Sequence, residues 1–330
     1  MSADPPEHPA RPVEPSFRSH PSLAEEFAWA APPPRRKFQH NYRKHLIYFG
    51  LTFITTTWVW QFGFMWANIG ADVNPLAAFT VETFLDGLWY SIPLLTILSA
   101  HEFGHYFACR YYNVDATLPF YLPAPLPPAG TFGAVIKIRE AFPSKKALFD
   151  IGVAGPIAGF VVLLPFLLIG LKLSNVGTVP AEGGTLYFGE PLLWKILERI
   201  YFGPLEDGVD VFLHPMGLAA WWGMLATAIN LLPFGQLDGG HIMYAAIGRR
   251  AGQLSVATLA IVMLLTLQSS SWFLMALIMV VVSLTIGFRH PRVIDEHVPL
   301  DTGRIWVTVL AFVIFALCFM PVPLTLTGVQ

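Results

Sequence analysis

Apolar runs of membrane-crossing length recur along most of this chain, and they restrict its fold more than any other feature. A helix needs about twenty apolar residues to cross the hydrocarbon. Candidate runs lie at 46–67, 88–109, 149–171, 216–233, 254–267, 272–288 and 305–325. With 54% of its residues hydrophobic and 13% charged, the chain carries far less charge than the roughly one-quarter of a soluble domain. The runs predict an all-α polytopic membrane protein with about seven transmembrane helices, in a membrane domain covering 45–330 within a lipid bilayer.

The charges between the runs give that map an orientation. Basic residues precede the first run and follow the second (Arg110, Lys137, Arg139, Lys145, Lys146), the fourth (Arg249, Arg250) and the sixth (Arg289, Arg292, Arg304). The alternate loops are poor in Lys and Arg: 71–87 has only Asp72, Glu82 and Asp86, and 174–215 sets Lys195 and Arg199 against six acids. By the positive-inside rule the N-terminus is expected in the cytosol and the C-terminus outside, in a bacterial-type plasma (inner) membrane. Residues 1–44 are proline-rich, of mixed charge, and lack the apolar core of a signal peptide. They are expected to form a disordered cytosolic tail, with a short amphipathic piece at 23–29. A net charge of −2 without a basic stripe gives no sign of nucleic acid. Cys109 and Cys318 fall within apolar runs and make no disulfide framework.

Two segments break the helical pattern. Residues 113–130 carry Pro119, Pro123, Pro125, Pro127 and Pro128, too dense for a helix, yet they remain apolar (Leu118, Phe120, Tyr121, Leu122, Leu126). Beside a membrane that reads as an interfacial or re-entrant loop, packed on protein or lining a wet cavity. Residues 131–138 (Thr131, Phe132, Gly133, Ala134, Val135, Ile136, Lys137, Ile138) read as a short strand.

Inside the second run, toward the cytosolic end, stands His101-Glu102-Phe103-Gly104-His105. Residues four apart share one face of a helix, so the two imidazoles can grip one metal ion. Glu102, one step around, reaches a water at that ion without binding it. Two ligands and a general base on one turn are the working parts of a zinc hydrolase. A structural cluster of polar side chains is the alternative, and it is disfavoured because a charge in mid-membrane costs on the order of 3 kcal/mol. Catalytic zinc usually takes three protein ligands. Asp150, His214, Asp238 and His241 are the membrane-proximal candidates for the third. His214 falls on the opposite side by the charge map, which favours Asp238 or His241 and leaves Asp150 open.

His101–His105 in a span, followed by Asn230-Leu231-Leu232-Pro233 and Leu237-Asp238-Gly239-Gly240-His241, resembles the site-2 protease family of intramembrane zinc metalloproteases. The resemblance covers about 89–244, and it implies a catalytic core of three spans over about 88–244 with supporting spans over 254–325. It implies Asp238 as the third ligand of one zinc ion, Glu102 as catalytic base and Asn230 as a residue engaging substrate. Gly130-Thr131-Phe132-Gly133-Ala134, together with Lys145 through Phe160, is similar to the branch that includes plastid and cyanobacterial members. Relatives elsewhere in the family insert PDZ or append CBS domains, and neither fits here. Many relatives have Asn near Gly159, so in this chain Gly155-x-x-x-Gly159 reads as a close helix-packing surface.

The function this implies is hydrolysis of peptide bonds in or near transmembrane segments of membrane proteins, as in regulated intramembrane proteolysis. A substrate helix must unwind before attack, and adding it to a strand edge is a general way to hold it. The edge at 131–138, with Gly130, Thr131, Phe132 and Gly133, is the expected substrate contact. Two alternatives are an inactive membrane scaffold and a metal-binding transporter. The transporter would need polar residues along several spans, whereas they concentrate at the ends of the second and fourth.

Overall fold

Each of the seven apolar runs holds a helix, as their composition requires. The computed structural model describes residues 36–67, 80–125, 129–178, 185–206, 208–285, 287, 293, 295 and 297–327. The expected tail over 1–35, with its amphipathic piece at 23–29, lies outside the described residues. The helices at the runs are α1 (Tyr42–Ala67), α2 (Val81–Tyr111), α3 (Lys145–Leu173) and α5 (Pro215–Asn230), then α7 (Ala251–Leu265), α8 (Phe273–Thr285) and α9 (Thr302–Cys318). Two shorter α-helices lie among the described residues, α4 (Leu192–Phe202) and α6 (Asp238–Ile247). Among the described residues, α2 and α3 are long and apolar enough to cross a membrane, and α8 and α9 are shorter apolar helices.

The helix starts follow from local chemistry. Thr80 and Thr83 form a capping box at the head of α2, and the Ser144 hydroxyl accepts from the Ala147 amide at the head of α3. The α2–α3 pair makes the most extensive helix contact, with α5 packed against both and α1 against α2. Tyr90 and Leu94 of α2, Phe149, Leu163 and Leu167 of α3, and Trp221 and Met224 of α5 are fully or almost fully buried between them. Helix α6 lies on α3, and α9 touches α3, α4, α5 and α6.

The chain is mostly helical, but the all-α expectation needs correcting. Six short strands pair in three two-stranded antiparallel sheets among the described residues. Strand β1 (Phe120–Pro123) lies inside the proline-dense loop and pairs with β2 (Thr131–Val135), Phe120 opposite Val135 and Tyr121 opposite Ala134. Proline bars a helix there, and extended pairing satisfies the remaining backbone groups instead. The hairpin leans on α1, where the Thr55 hydroxyl donates to the Gly130 carbonyl at 2.8 Å. At the opposite ends of α3 and α5, β3 (Asn175–Thr178) pairs with β5 (Val209–Phe212). There β4 (Thr185–Phe188) pairs with β6 (Leu324–Thr327).

Residues of the expected tail that are described bond into the loop after α2. Lys37 Nζ donates to the Asn113 carbonyl at 2.7 Å and the Phe38 amide to Asp115 Oδ1 at 2.6 Å. Glu140 joins them through Lys37 at 2.8 Å.

Candidate metal centre

His101, Glu102 and His105 lie on one turn of α2 and are buried, each 6–7% exposed. Both histidines turn Nε2 toward the same point, 3.2 Å apart. Asp238 Oδ2 stands 3.2 Å from each of them. The three candidate ligand atoms therefore form a nearly equilateral triangle. Atoms bound to one zinc ion at 2.0–2.1 Å in tetrahedral array lie about 3.3–3.4 Å apart. The triangle fits that ion with almost no adjustment, and it is the one such His/Cys/Asp/Glu group among the described residues.

The neighbouring backbone fixes the tautomer at one corner. His105 Nδ1 sits 2.7 Å from the Ile151 carbonyl of α3. A carbonyl accepts only, so Nδ1 carries the proton and the Nε2 lone pair faces the centre. The same turn of α3 makes room for the ring. A Cβ built on Gly155 would lie 2.1 Å from His105 Nε2, and one on Gly159 would lie 3.1 Å from His101 Cβ. The expected packing surface is thus the wall against which both imidazoles rest.

Asp238 arrives from a chain reversal. Helix α5 ends at Asn230, Gly235 takes a positive φ of 52°, and α6 begins at Asp238 itself. A Cβ on Gly239 would lie 2.1 Å from the Leu231 carbonyl oxygen, and one on Gly240 would lie 2.4 Å from that of Gly235. The paired glycines let α6 fold back tightly enough to bring the carboxylate to the histidines. Placed in the first turn of a helix, that carboxylate also meets favourable peptide dipoles.

Asn230 reaches the same centre, with Nδ2 3.2 Å from His101 Nε2. The backbone of Ile136, one residue past β2, lies near the Glu102 carboxyl. Gly130, Thr131, Phe132 and Gly133 lie in the hairpin and not at the triangle. The Thr131 hydroxyl donates to the Leu122 carbonyl at 2.8 Å, and Phe132 is 70% exposed.

Of the four candidates for the third corner, Asp238 alone joins the histidines. Asp150 is held by Arg304 of α9 and by the Tyr112 hydroxyl. His214 caps α5 with Nδ1 accepting from the Met216 amide, and the His241 ring packs edge-on against Phe142. Sequence reasoning missed the Ile151 carbonyl and Arg304. The first is backbone, which leaves no residue-type signal, and the second lies 154 residues from its partner. A cavity of about 610 Å³ lined by Phe188, Trp194, Asp210, Trp221 and Met320 opens near the β3–β6 strands, and none of the triangle residues lines it.

Two imidazoles of a helix of spanning length, the carboxylate of Asp238 and a buried glutamate beside them define a site that could hold a metal ion next to a candidate general base. Comparison with known proteins narrows the class. A profile described as "Peptidase family M50" matches residues 89–270, and the chain belongs to that family, the site-2 proteases. It is similar to "Probable zinc metalloprotease EGY2, chloroplastic" of Arabidopsis thaliana, 29% identical over 256 residues, covering 77% of this chain and 45% of that protein. It is also similar to "Probable zinc metalloprotease EGY1, chloroplastic" of Oryza sativa subsp. japonica, 35% identical over 165 residues, covering 48% and 28%. "Probable zinc metallopeptidase EGY3, chloroplastic" of Arabidopsis thaliana is 27% identical over 259 residues, covering 72% and 44%. The chain spans less than half the length of these curated relatives.

Proposed function

We propose that the protein is an intramembrane zinc metalloprotease that hydrolyses peptide bonds in or near the transmembrane segments of membrane proteins. The observation that carries this reading is the triangle of His101, His105 and Asp238 atoms with Glu102 buried beside it. Two neutral nitrogens and a carboxylate oxygen are a donor set suited to zinc, and the spacing matches its bond lengths. One zinc ion held there supplies Lewis acidity to the scissile carbonyl. Glu102 takes the proton of the attacking water and passes it to the leaving amine. The Asn230 amide, beside His101, is placed to donate to the substrate carbonyl or its backbone. Among the described residues strand β2 has a sheet partner on one side only, and its other edge is where an unwound substrate would add as an extended strand. Contact with Gly130, Thr131, Phe132 and Gly133 belongs to that step.

The proposal includes seven crossings by α1, α2, α3, α5, α7, α8 and α9, the shorter of them met by local thinning of the bilayer. It places the site toward the face with the basic loops, which is the cytosolic face if the membrane is of the bacterial plasma type. Residues 1–35 then form a cytosolic tail, 88–244 the catalytic core and 254–325 the support.

The test uses the purified full chain with a single-span membrane substrate. Wild type is expected to hold one zinc per chain and to cut. Glu102→Gln is expected to keep the zinc and to lose cleavage. In that variant a photo-crosslinker introduced across 131–138 is expected to capture the substrate segment. Zinc-free wild type would return the inactive scaffold, and cleavage unaffected by Glu102→Gln would sink the mechanism.

A further inference from the structure

Helix α9 is tied to the start of α3, next to the metal centre, by one charged side chain. Arg304, in the first turn of α9, holds Asp150 with two hydrogen bonds, Nε to Oδ1 at 2.8 Å and Nη2 to Oδ2 at 2.5 Å. The Tyr112 hydroxyl donates to the same carboxylate from the C-terminal cap of α2. Asp301, the N-cap of α9, occupies Nη1 of the guanidinium. Three helix ends are therefore joined at one carboxylate, and one of them belongs to the helix that carries His101 and His105. The residue after Asp150 is Ile151, whose carbonyl takes the proton of His105 Nδ1. Arg304 itself lies outside residues 89–270, which match the family profile.

We propose that Arg304 is a positioning residue for the metal centre, holding Asp150 and through it the Ile151 carbonyl that sets the tautomer and tilt of His105. The guanidinium suits this task because its planar fork fixes a carboxylate in direction as well as distance. A single hydrogen bond would leave the Asp150 carboxylate freer to rotate, and the first turns of α3 less firmly tied to α9. The carbonyl moves with that turn, and so does the space that Gly155 leaves for the ring. A histidine ligand with its second nitrogen hydrogen-bonded keeps its orientation and basicity, and disturbing such a partner typically weakens metal binding by about 10- to 100-fold. Arg304 acts one step further out, so a loss of about tenfold is expected.

This inference rests on the zinc reading of the triangle, and the experiment separates the two. Zinc affinity of the purified full chain is measured by chelator competition, and the visible spectrum is recorded after cobalt substitution. The chains compared are wild type, Arg304→Gln, Arg304→Lys and Ile314→Ala. The last removes a buried side chain of α9 ten residues beyond Arg304 and serves as the stability control. Arg304→Gln is expected to bind zinc about tenfold more weakly and to shift the cobalt bands, with Arg304→Lys between it and wild type. Ile314→Ala is expected to melt at a lower temperature with wild-type affinity and spectrum. Should Arg304→Gln fail to fold, Asp150→Asn takes its place, with the same loss and shift expected. Wild-type affinity and spectrum in the folded variant would overturn the inference, and so would equal losses in Ile314→Ala. Absence of zinc binding in wild type would overturn the proposed function instead.

Discussion

Gly155→Ala tests the metal centre with one methyl group. The new Cβ would stand 2.1 Å from His105 Nε2, 2.4 Å from Cδ2 and 2.5 Å from Cε1, where ordinary contact begins at 3.4 Å. The ring would have to retreat by about 1 Å, while ligand distances in a metal site hold to about 0.2 Å. The 3.2 Å edges of the triangle at His105 cannot survive that displacement. A misplacement near 1 Å costs about a hundredfold in rate, equivalent to about 2.7 kcal/mol in barrier. Zinc affinity is expected to fall by at least as much. Helix propensity does not offset this, because alanine gains about 1 kcal/mol over glycine while relieving the overlap costs about 1–3 kcal/mol. Gly159→Ala is the internal comparison: its Cβ meets His101 Cβ at 3.1 Å and Nδ1 at 3.3 Å, so shifts of a few tenths of an ångström suffice. The assay is zinc retention under chelator competition, with cleavage of a single-span substrate alongside. Wild-type zinc affinity in Gly155→Ala, or equal defects in the two variants, would refute the reasoning.

Other outcomes follow from the same geometry. Glu102→Gln is expected to lose about 10²- to 10⁴-fold in cleavage rate with zinc content unchanged, which quantitative metal analysis checks. Removing zinc with a chelator is expected to lower the melting temperature, and restoring it to 1,000 times its Kd should return about 4 kcal/mol of stability. On the surface, the hydrogen bond from Lys37 and then that from the Asp115 amide hold the Glu140 carboxyl below its ordinary value. A depressed carboxyl stabilises the fold above its unfolded pKa of about 4.5 and loses that contribution as pH falls through the folded value. Lys37→Met should therefore lower the melting temperature slightly in the neutral region and leave it unchanged at the acid end, so that the fall in melting temperature below about pH 4.5 becomes shallower.

The parts of the site that share a helix turn were legible in the sequence. His101, Glu102 and His105 fall on one face because the helix repeat puts them there, and Gly155-x-x-x-Gly159 gave the close face of α3 for the same reason. From the residues alone the third ligand stayed open between Asp238, His241 and Asp150. Only long-range facts decide it: Asp238 Oδ2 stands 3.2 Å from both histidines, while Asp150 is held by Arg304 across 154 residues. Local periodicity carries no such information. Strand β1 was hidden by its prolines, which exclude a helix without announcing a sheet. Helix α4 was read as loop, because 11 residues between short strands give too brief a pattern to distinguish.

Irregular backbone near a membrane explains why the outer helices are more than lipid-facing support. The reversal between α5 and α6 exposes peptide groups that hydrocarbon would leave unsatisfied at several kcal/mol each. Helix α7 meets them with two hydroxyls: Ser255 accepts from the Gly235 amide at 3.2 Å, and Thr258 donates to the Pro233 carbonyl at 3.3 Å. At the β1–β2 turn, α1 supplies Thr55 to the Gly130 carbonyl, and α2 supplies the Tyr90 hydroxyl to that of Ala129 at 2.9 Å. Arg304 of α9 does the corresponding work for the Asp150 carboxylate. Helices α1 and α7 thus place polar groups where the core departs from plain helix, and the core departs from helix where a metal and an extended substrate would have to be admitted. A leucine-rich helix of equal length in place of α7 or α9 would fill the same volume and leave those groups unpaired. The polar side chains, rather than the apolar surface around them, tie the outer helices to this site.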